Sequence, residues 1–407
     1  MKILYLHQYF ATRDSSTGTR SYEFARLLQE KGHDVEILTG DSQLGELTAD
    51  QTARYGRYDI DGLTVHTIRN SYNNGFSKWR RILAFLQFMF FACLFRMKTR
   101  DYDIIFATST PLTIGIPAMF LSWKSKKPYV FEVRDLWPEA PYQLGFIRNR
   151  FLYRALCRLE LMIYKHAEQI VALSPGMKAG VVARGVLEEK VTVIPNSADL
   201  DLFKTVKTGE LRSKYGLEDK FILAHIGSMG VINGLDYLIN VARYLKKTGK
   251  RDIAILLVGD GGKRSELESL ARAYKLDNVI FTGKIPKRDI PKVMADVDAT
   301  IMSVKSNVIL EMASPNKFFD SLAAGKPVLV NCNGWMRDLV ENHQAGIFVH
   351  PNALEDIPKA IRTLCEKGID KFGENARKLA EESFDRRKLV DQLDDVLQTA
   401  KQGGENR

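Results

Sequence analysis

The chain has 407 residues, 45% hydrophobic and 27% charged, with a net charge of +10; this length predicts two to three domains, and this composition excludes a disordered or fibrous chain. The four cysteines, Cys93, Cys157, Cys332 and Cys365, form no CxxC pair, so neither a zinc site nor a disulfide framework is indicated and a reducing compartment fits. Met1 leads directly into a strand-like run with no charged leader or cleavage site, so a cytoplasmic address is expected.

Short apolar, β-branched runs alternate with longer amphipathic segments, the pattern of parallel sheets with crossover helices. In the first half the strand candidates are residues 2–6, 35–39, 63–67, 104–108, 129–133, 170–173 and 191–194. A helix is expected over 19–31. The polar stretch 197–220 then separates two halves. Strand candidates resume at 222–227, 253–258, 279–283, 299–302, 328–331 and 346–349, with helices over 235–247, 264–274, 317–324, 356–365 and 385–399. The fold class is α/β, two Rossmann-like domains with ligands at the C-terminal strand ends. The boundaries are 1–196, 197–384, and a C-terminal helix, 385–407, that packs back on the first domain.

Three loops carry candidate chemistry. After the first strand, His7-Gln8-Tyr9-Phe10 leads to Thr17-Gly18-Thr19 and a helix, where Gly18 would let backbone amides approach an anion. Val258-Gly259-Asp260-Gly261-Gly262 follows a strand but is neither GxGxxG nor a lysine phosphate loop, which disfavours a dinucleotide site and an ATPase. The segment from Ser314 through Val328 is the most informative. Ser314 or Asn316 would cap a helix with Lys317 in its first turn, Asp320 would lie on nearly the same face, and Gly325 would end it. A lysine beside a positive helix end is unfavourable unless an anion binds there, and a carboxylate one turn later suits a ribose diol.

In this order and spacing the motifs resemble a family, the retaining, nucleotide-sugar-dependent glycosyltransferases of family 4 with the GT-B fold. The resemblance rests on residues 27–35, 193–200, 258–262, 281–286 and 323–328. The segments Val133-Arg134-Asp135-Leu136-Trp137-Pro138-Glu139 and Ser314-Pro315-Asn316-Lys317 resemble the bacterial subgroup of the L-fucosamine transferase WbuB, which acts in O-antigen and capsule assembly. The resemblance implies that Asp320 holds the donor ribose and that Lys284 and Ile285 face the nucleobase. The family's first paired glutamate falls at Met312, with Glu311 one place off. Its diphosphate-binding arginine and lysine fall at Ser228 and Asn233, and Lys317 is the candidate to replace that charge. The cleft histidine of the family's His-Asp pair is Arg134 here, with Asp135 in place; these two are the catalytic candidates. The donor set is thus Gly18, Ser228, Asn233, Lys284, Ile285, Asn316, Lys317 and Asp320.

Residues 70–165 hold 15 basic and 6 acidic residues, +9 of the net charge, which implies a polyanionic partner. Within them, residues 82–95 form an apolar run broken only by Gln87. At ~1.5 Å per residue this helix is too short to span a bilayer. With cations at Arg80, Arg81, Arg96, Lys98 and Arg100, it reads as a monotopic helix in an anionic leaflet, contacting lipid through Trp79, Phe88, Phe91 and Phe95. Residues 146–165, rich in arginine and aromatics, could form a second basic surface. Nucleic acid is not expected, because stacking residues would be wasted in so apolar a run.

The expected function is transfer of a sugar, an N-acetylated amino sugar by the subgroup resemblance, from a UDP-sugar to a polyprenyl-diphosphate-linked saccharide at the inner membrane face. Neither cofactor nor metal is expected: Asp101-Tyr102-Asp103 begins a strand, the wrong end for a ligand. The alternative is a nucleotide-sugar epimerase of the same fold.

Overall fold

The structure, a computed structural model, describes every residue except 14, 16, 17, 71, 73–75, 96–100, 205–207, 406 and 407. Thr17, Arg96, Lys98 and Arg100, all invoked above, lie outside the described residues. The chain forms two compact units, Met1–Pro195 with Arg387–Arg407, and Asn196–Arg386.

The first unit is built on an eight-stranded sheet. Its strands are β1 (Lys2–Leu6), β2 (Asp34–Gly40), β3 (Tyr55–Ile60), β4 (Leu63–Ile68), β5 (Ile104–Thr108), β6 (Tyr129–Val133), β7 (Gln169–Ala172) and β8 (Val191–Val193). They lie in the order β3-β4-β2-β1-β5-β6-β7-β8. All pairs are parallel except β3 with β4. Continuous apolar runs such as Ile104–Thr108 are buried throughout, because helices cover both faces of a parallel sheet. The edge strand β3 carries no such run. It follows β4's register through an Asp61-Gly62 turn in which both residues have positive φ, 53° and 83°, the geometry of a tight hairpin.

The second unit holds a six-stranded parallel sheet. Its strands are β9 (Phe221–Ile226), β10 (Ile253–Val258), β11 (Val279–Gly283), β12 (Ala299–Met302), β13 (Val328–Val330) and β14 (Gly346–Phe348), in the order β11-β10-β9-β12-β13-β14. Strand order reverses between β1 and β5 in one sheet and between β9 and β12 in the other. Open α/β sheets bind ligands at that reversal, beyond the C-terminal strand ends.

The last helix, Arg386–Glu405, belongs with the first unit from Arg387 on. Its residues Leu389, Val390, Leu393, Val396, Leu397 and Ala400 join the core cluster that contains Ile3, Tyr5, Val35, Ile37 and Phe106. Their three- and four-residue spacing makes one apolar stripe. At its edge Lys31 meets Asp391 at 2.7 Å and His33 meets Asp394 at 2.9 Å.

The apolar run is the helix Lys78–Cys93, and its faces differ from the expected assignment. Phe88 and Phe95 are buried, at 1% and 7% exposure, together with Ala84 and Ala92, and Phe91 is half-buried. These residues pack on the unit, where the rings of Phe91 and Phe95 meet Tyr55; Phe88 and Phe95 are therefore not available to lipid. Trp79 is exposed, as are Leu83, Leu86, Phe90 and Leu94. Because the run is apolar all round, composition could not say which stripe faces the core. No helix among the described residues is long and apolar enough to cross a membrane.

Candidate active site

In the second unit the strand ends are laced together by backbone hydrogen bonds. Gly227 N–H donates to Val258 O at 2.9 Å, Met229 N–H to Asp260 O at 2.8 Å, and Gly259 N–H to Gly283 O at 2.9 Å. The loops after β9 and β10 touch so closely that a Cβ on Gly259 would stand 2.0 Å from Gly227 O, and Gly259 has φ 131°. A side chain there would both clash and strain the backbone.

Over this floor runs Lys317. It is the second residue of the helix Asn316–Ala323, and its stem passes Gly227, with Cδ 3.5 Å from where a Cβ would be. Its ammonium donates to Asn233 Oδ1 at 2.6 Å. Asn233 is buried and fully used: its carbonyl accepts from Ser303 Oγ at 2.8 Å, and its Nδ2 donates to Ser228 Oγ at 3.2 Å. Burial pushes the Lys317 pKa down to about 7, with the Cys332 thiol opposing. No carboxylate pairs with Lys317 among the described residues. A half-buried lysine held by a neutral amide at a helix N-terminus is a position that a bound anion would stabilise.

Beneath it lies His225, fully buried on β9, its Nε2 3.4 Å from Ser228 O and its Nδ1 without a partner. Burial first, then the charge of Lys317, holds its pKa well below the ordinary histidine value. His225 was not anticipated, since it interrupts an otherwise apolar strand.

Asp320 does not pair with Lys317, although they share a face. Its Oδ2 accepts from Lys287 Nζ at 2.5 Å, and that ammonium lies 5.5 Å from the ring centroid of Phe203. Lys287 follows Lys284 and Ile285 after β11, so this ion pair ties the expected ribose carboxylate to the expected nucleobase loop. Lys284 is exposed and Ile285 half-buried.

The capping expectation is corrected. Pro315 stands at the N-cap with no side-chain cap bond, and Asn316 is the first helical residue. Ser314 instead serves the interdomain segment, its hydroxyl accepting the Asn196 N–H at 3.2 Å. Glu311 closes the short helix Val308–Glu311, its carbonyl 3.2 Å from where a Cβ on Gly334 would stand.

Gly18, Arg134 and Asp135 belong to the first unit. Gly18 is half-buried just before the helix Arg20–Glu30. Beyond β6, Arg134 N–H donates to Ser109 Oγ at 2.9 Å, and its guanidinium lies 3.4 Å from Nε2 of the buried His7. Asp135 accepts from Thr110 Oγ1 at 2.9 Å. Dehydration by the surrounding protein raises its carboxyl pKa, opposed by that hydrogen bond and by Arg134. Its side chain also reaches solvent, which screens the shift.

Behind this group is a buried ion pair that sequence reasoning missed. Arg20 Nη2 lies 2.9 Å from Glu132 Oε1, both essentially unexposed, and Arg20 also donates to the carbonyls of Ile194 and Pro195. Asp103, of the Asp-x-Asp segment, accepts the Lys2 N–H at 2.8 Å and meets Lys401 at 3.3 Å. It is a structural anchor of β1 and the last helix.

Residues 16–197 match a glycosyl transferase 4-like domain and residues 207–383 match glycosyl transferases group 1. The putative colanic acid biosynthesis glycosyl transferase WcaI of Escherichia coli is 22% identical over 409 residues, 97% of this chain and 98% of the relative. The putative teichuronic acid biosynthesis glycosyltransferase TuaH of Bacillus subtilis is 27% identical over 201 residues, 49% of each chain. Among solved structures, Anabaena HepE in complex with UDP and glucose superposes with a TM-score of 0.72 at 20% identity, covering 98% of this chain and 99% of that one. This likeness shows a shared GT-B fold. The matched domains and relatives are glycosyltransferases and lend the epimerase alternative no support.

Proposed function

Since the chain is a glycosyltransferase of the GT-B, family 4 kind, we propose that it moves a sugar, with retention at the anomeric carbon, from a UDP-sugar to a polyprenyl-diphosphate-linked saccharide in bacterial surface polysaccharide synthesis. The observation that carries this reading is Lys317, a half-buried cation on a neutral amide at a helix N-terminus, with no carboxylate partner among the described residues. In this reading it supplies the charge that a diphosphate leaving group needs.

In this reading Lys317 and the N-terminal amides of its helix stabilise the departing UDP diphosphate, a preorganised electrostatic contribution. No metal enters the scheme. Asp320, aimed by Lys287, accepts the ribose hydroxyls, and the backbone at Lys284 and Ile285 faces the base. Ser228 and Asn233 line the floor. Asp135 positions or deprotonates the acceptor hydroxyl, with Arg134 beside it. The WbuB-like subgroup, and with it an N-acetylated amino sugar and an O-antigen or capsule product, belongs to the same proposal. WcaI and TuaH, named for colanic acid and teichuronic acid, favour a surface polysaccharide. HepE, solved with UDP and glucose, favours a UDP donor.

The test is incubation of the purified protein with radiolabelled UDP-sugars and a lipid-diphosphate sugar. Label in the organic phase supports the proposal. Label in a new free sugar, or none across the donor panel, overturns it.

A further inference from the structure

Three helices of the first unit present apolar residues to water in an arrangement that a water-exposed surface would not keep. On Lys78–Cys93 the exposed stripe is Trp79, Leu83, Leu86, Phe90 and, just past the helix end, Leu94, spaced three or four residues apart. It lies opposite the buried stripe of Ala84, Phe88, Ala92 and Phe95. This helix packs against Gly115–Ser125, which in turn packs against Arg150–His166. On the middle helix Trp123 is 76% exposed, with the ring of Phe120 6.0 Å away. On the third, Phe151 is 81% exposed and Leu152 is exposed beside it.

Charge on these helices has one sign at the surface. Lys124, Arg150, Arg154 and Arg158 are exposed. The sole acidic residue of the three helices is Glu160. It is buried, 2.9 Å from Arg184. Large aromatic side chains ringed by cations, with no exposed carboxylate among them, match the boundary between acyl chains and anionic headgroups. A second copy of this chain fits less well, because a self-paired face would bring its arginines onto their own counterparts.

We propose that the outer faces of these three helices form one docking surface for an anionic phospholipid bilayer, entered by Trp79, Phe90, Trp123 and Phe151 and held by the arginines of the third helix. Its role in presenting a lipid-linked acceptor rests on the function proposed above. The binding itself does not, and is measured apart from transfer.

The experiment is co-sedimentation of the full chain with vesicles of phosphatidylglycerol and phosphatidylcholine, or of phosphatidylcholine alone, at low and high salt. The expected result is partition onto the anionic vesicles at least about tenfold stronger than onto neutral ones, weakened by salt. The combined variant Trp79→Ser, Phe90→Ser, Trp123→Ser, Phe151→Ser should lose this partition while keeping its melting temperature and its donor binding, since each residue is exposed. A second variant, Arg150→Gln with Arg154→Gln and Arg158→Gln, should lose the preference for anionic lipid and retain weak binding. The proposal is overturned if the parent chain ignores anionic vesicles, if the serine variant binds as well as the parent, or if the parent forms a dimer that the serine variant abolishes. Loss of transfer with vesicle binding intact would instead count against the function proposed above.

Discussion

The ammonium of Lys317 donates to the amide oxygen of Asn233 at 2.6 Å, across 84 residues of sequence. In the family resembled here, the position of Asn233 carries the diphosphate lysine. The cation instead comes from the helix Asn316–Ala323, and the asparagine accepts its hydrogen bond.

Replacing Lys317 by Ala should weaken donor binding by about 2 kcal/mol, roughly thirtyfold, the loss typical of a dehydrated charge-assisted contact. Titration calorimetry with a UDP-sugar measures it. Unchanged affinity removes Lys317 from the donor site.

The lysine's pKa of about 7 sets a pH dependence. Its charged form, which attracts the diphosphate, grows as pH falls through that value. Donor affinity should therefore rise by roughly tenfold between pH about 8.5 and about 6, with proton uptake on binding. His225, whose pKa lies well below the ordinary value, and Cys332, raised to about 12, do not titrate in this window. Without ligand the sign reverses for stability. The unfolded lysine protonates near 10.5 and the folded one near 7, so the folded state loses stability as pH falls between those values. Lys317→Arg should flatten the affinity profile, because a guanidinium stays charged throughout.

Asp320→Ala should raise the donor KM about tenfold, as expected for a lost hydrogen bond to a charged group, with little change in melting temperature. Lys287→Ala should have a smaller effect in the same direction, because Lys287 aims the carboxylate through a 2.5 Å contact. A variant at Asp320 with normal kinetics would make that ion pair a purely structural tie.

Asp135→Asn should lower kcat by about a hundredfold or more and leave donor affinity unchanged, as for loss of a positioned base. Its raised pKa places the acid limb of the rate profile above the ordinary aspartate value. That limb should vanish in the variant. Retained turnover excludes Asp135 from the chemistry.

Glu132→Gln keeps the side-chain shape but leaves the buried Arg20 without its counter-charge. Breaking a buried pair in this way costs about 3 kcal/mol or more. The urea midpoint of the first unit should fall accordingly, while donor affinity per folded molecule stays the same.

Both sheets could be read in the sequence because buried parallel strands announce themselves as unbroken apolar runs. The edge strand Tyr55–Ile60 could not be read that way, since residues 55–59 alternate between exposed and half-buried and only Ile60 is buried. The Asp61-Gly62 turn beside it was the usable signal. Lys317 was legible because a cation in the first helical turn opposes the helix dipole. Its partner Asn233 was legible only as a departure from the family pattern. Lys287 with Asp320 and Arg20 with Glu132 were not legible, being 33 and 112 residues apart with no local pattern linking them. For the helix Lys78–Cys93, a doubly apolar sequence hid the choice between Phe88 inside and Phe90 outside, which packing alone decides.

The placement of Leu389, Leu393, Leu397 and Ala400 in the core beside Ile3 and Phe106 bears on how the protein is made. The ribosome completes residues 1–195 long before it reaches residue 387, yet the first sheet then lacks part of its apolar cover. Domains commonly fold in the order in which they are synthesised. Here the later half can close first, while the earlier half waits for residues 387–400. A nascent chain released before about residue 400 would leave that sheet open to chaperones and proteases.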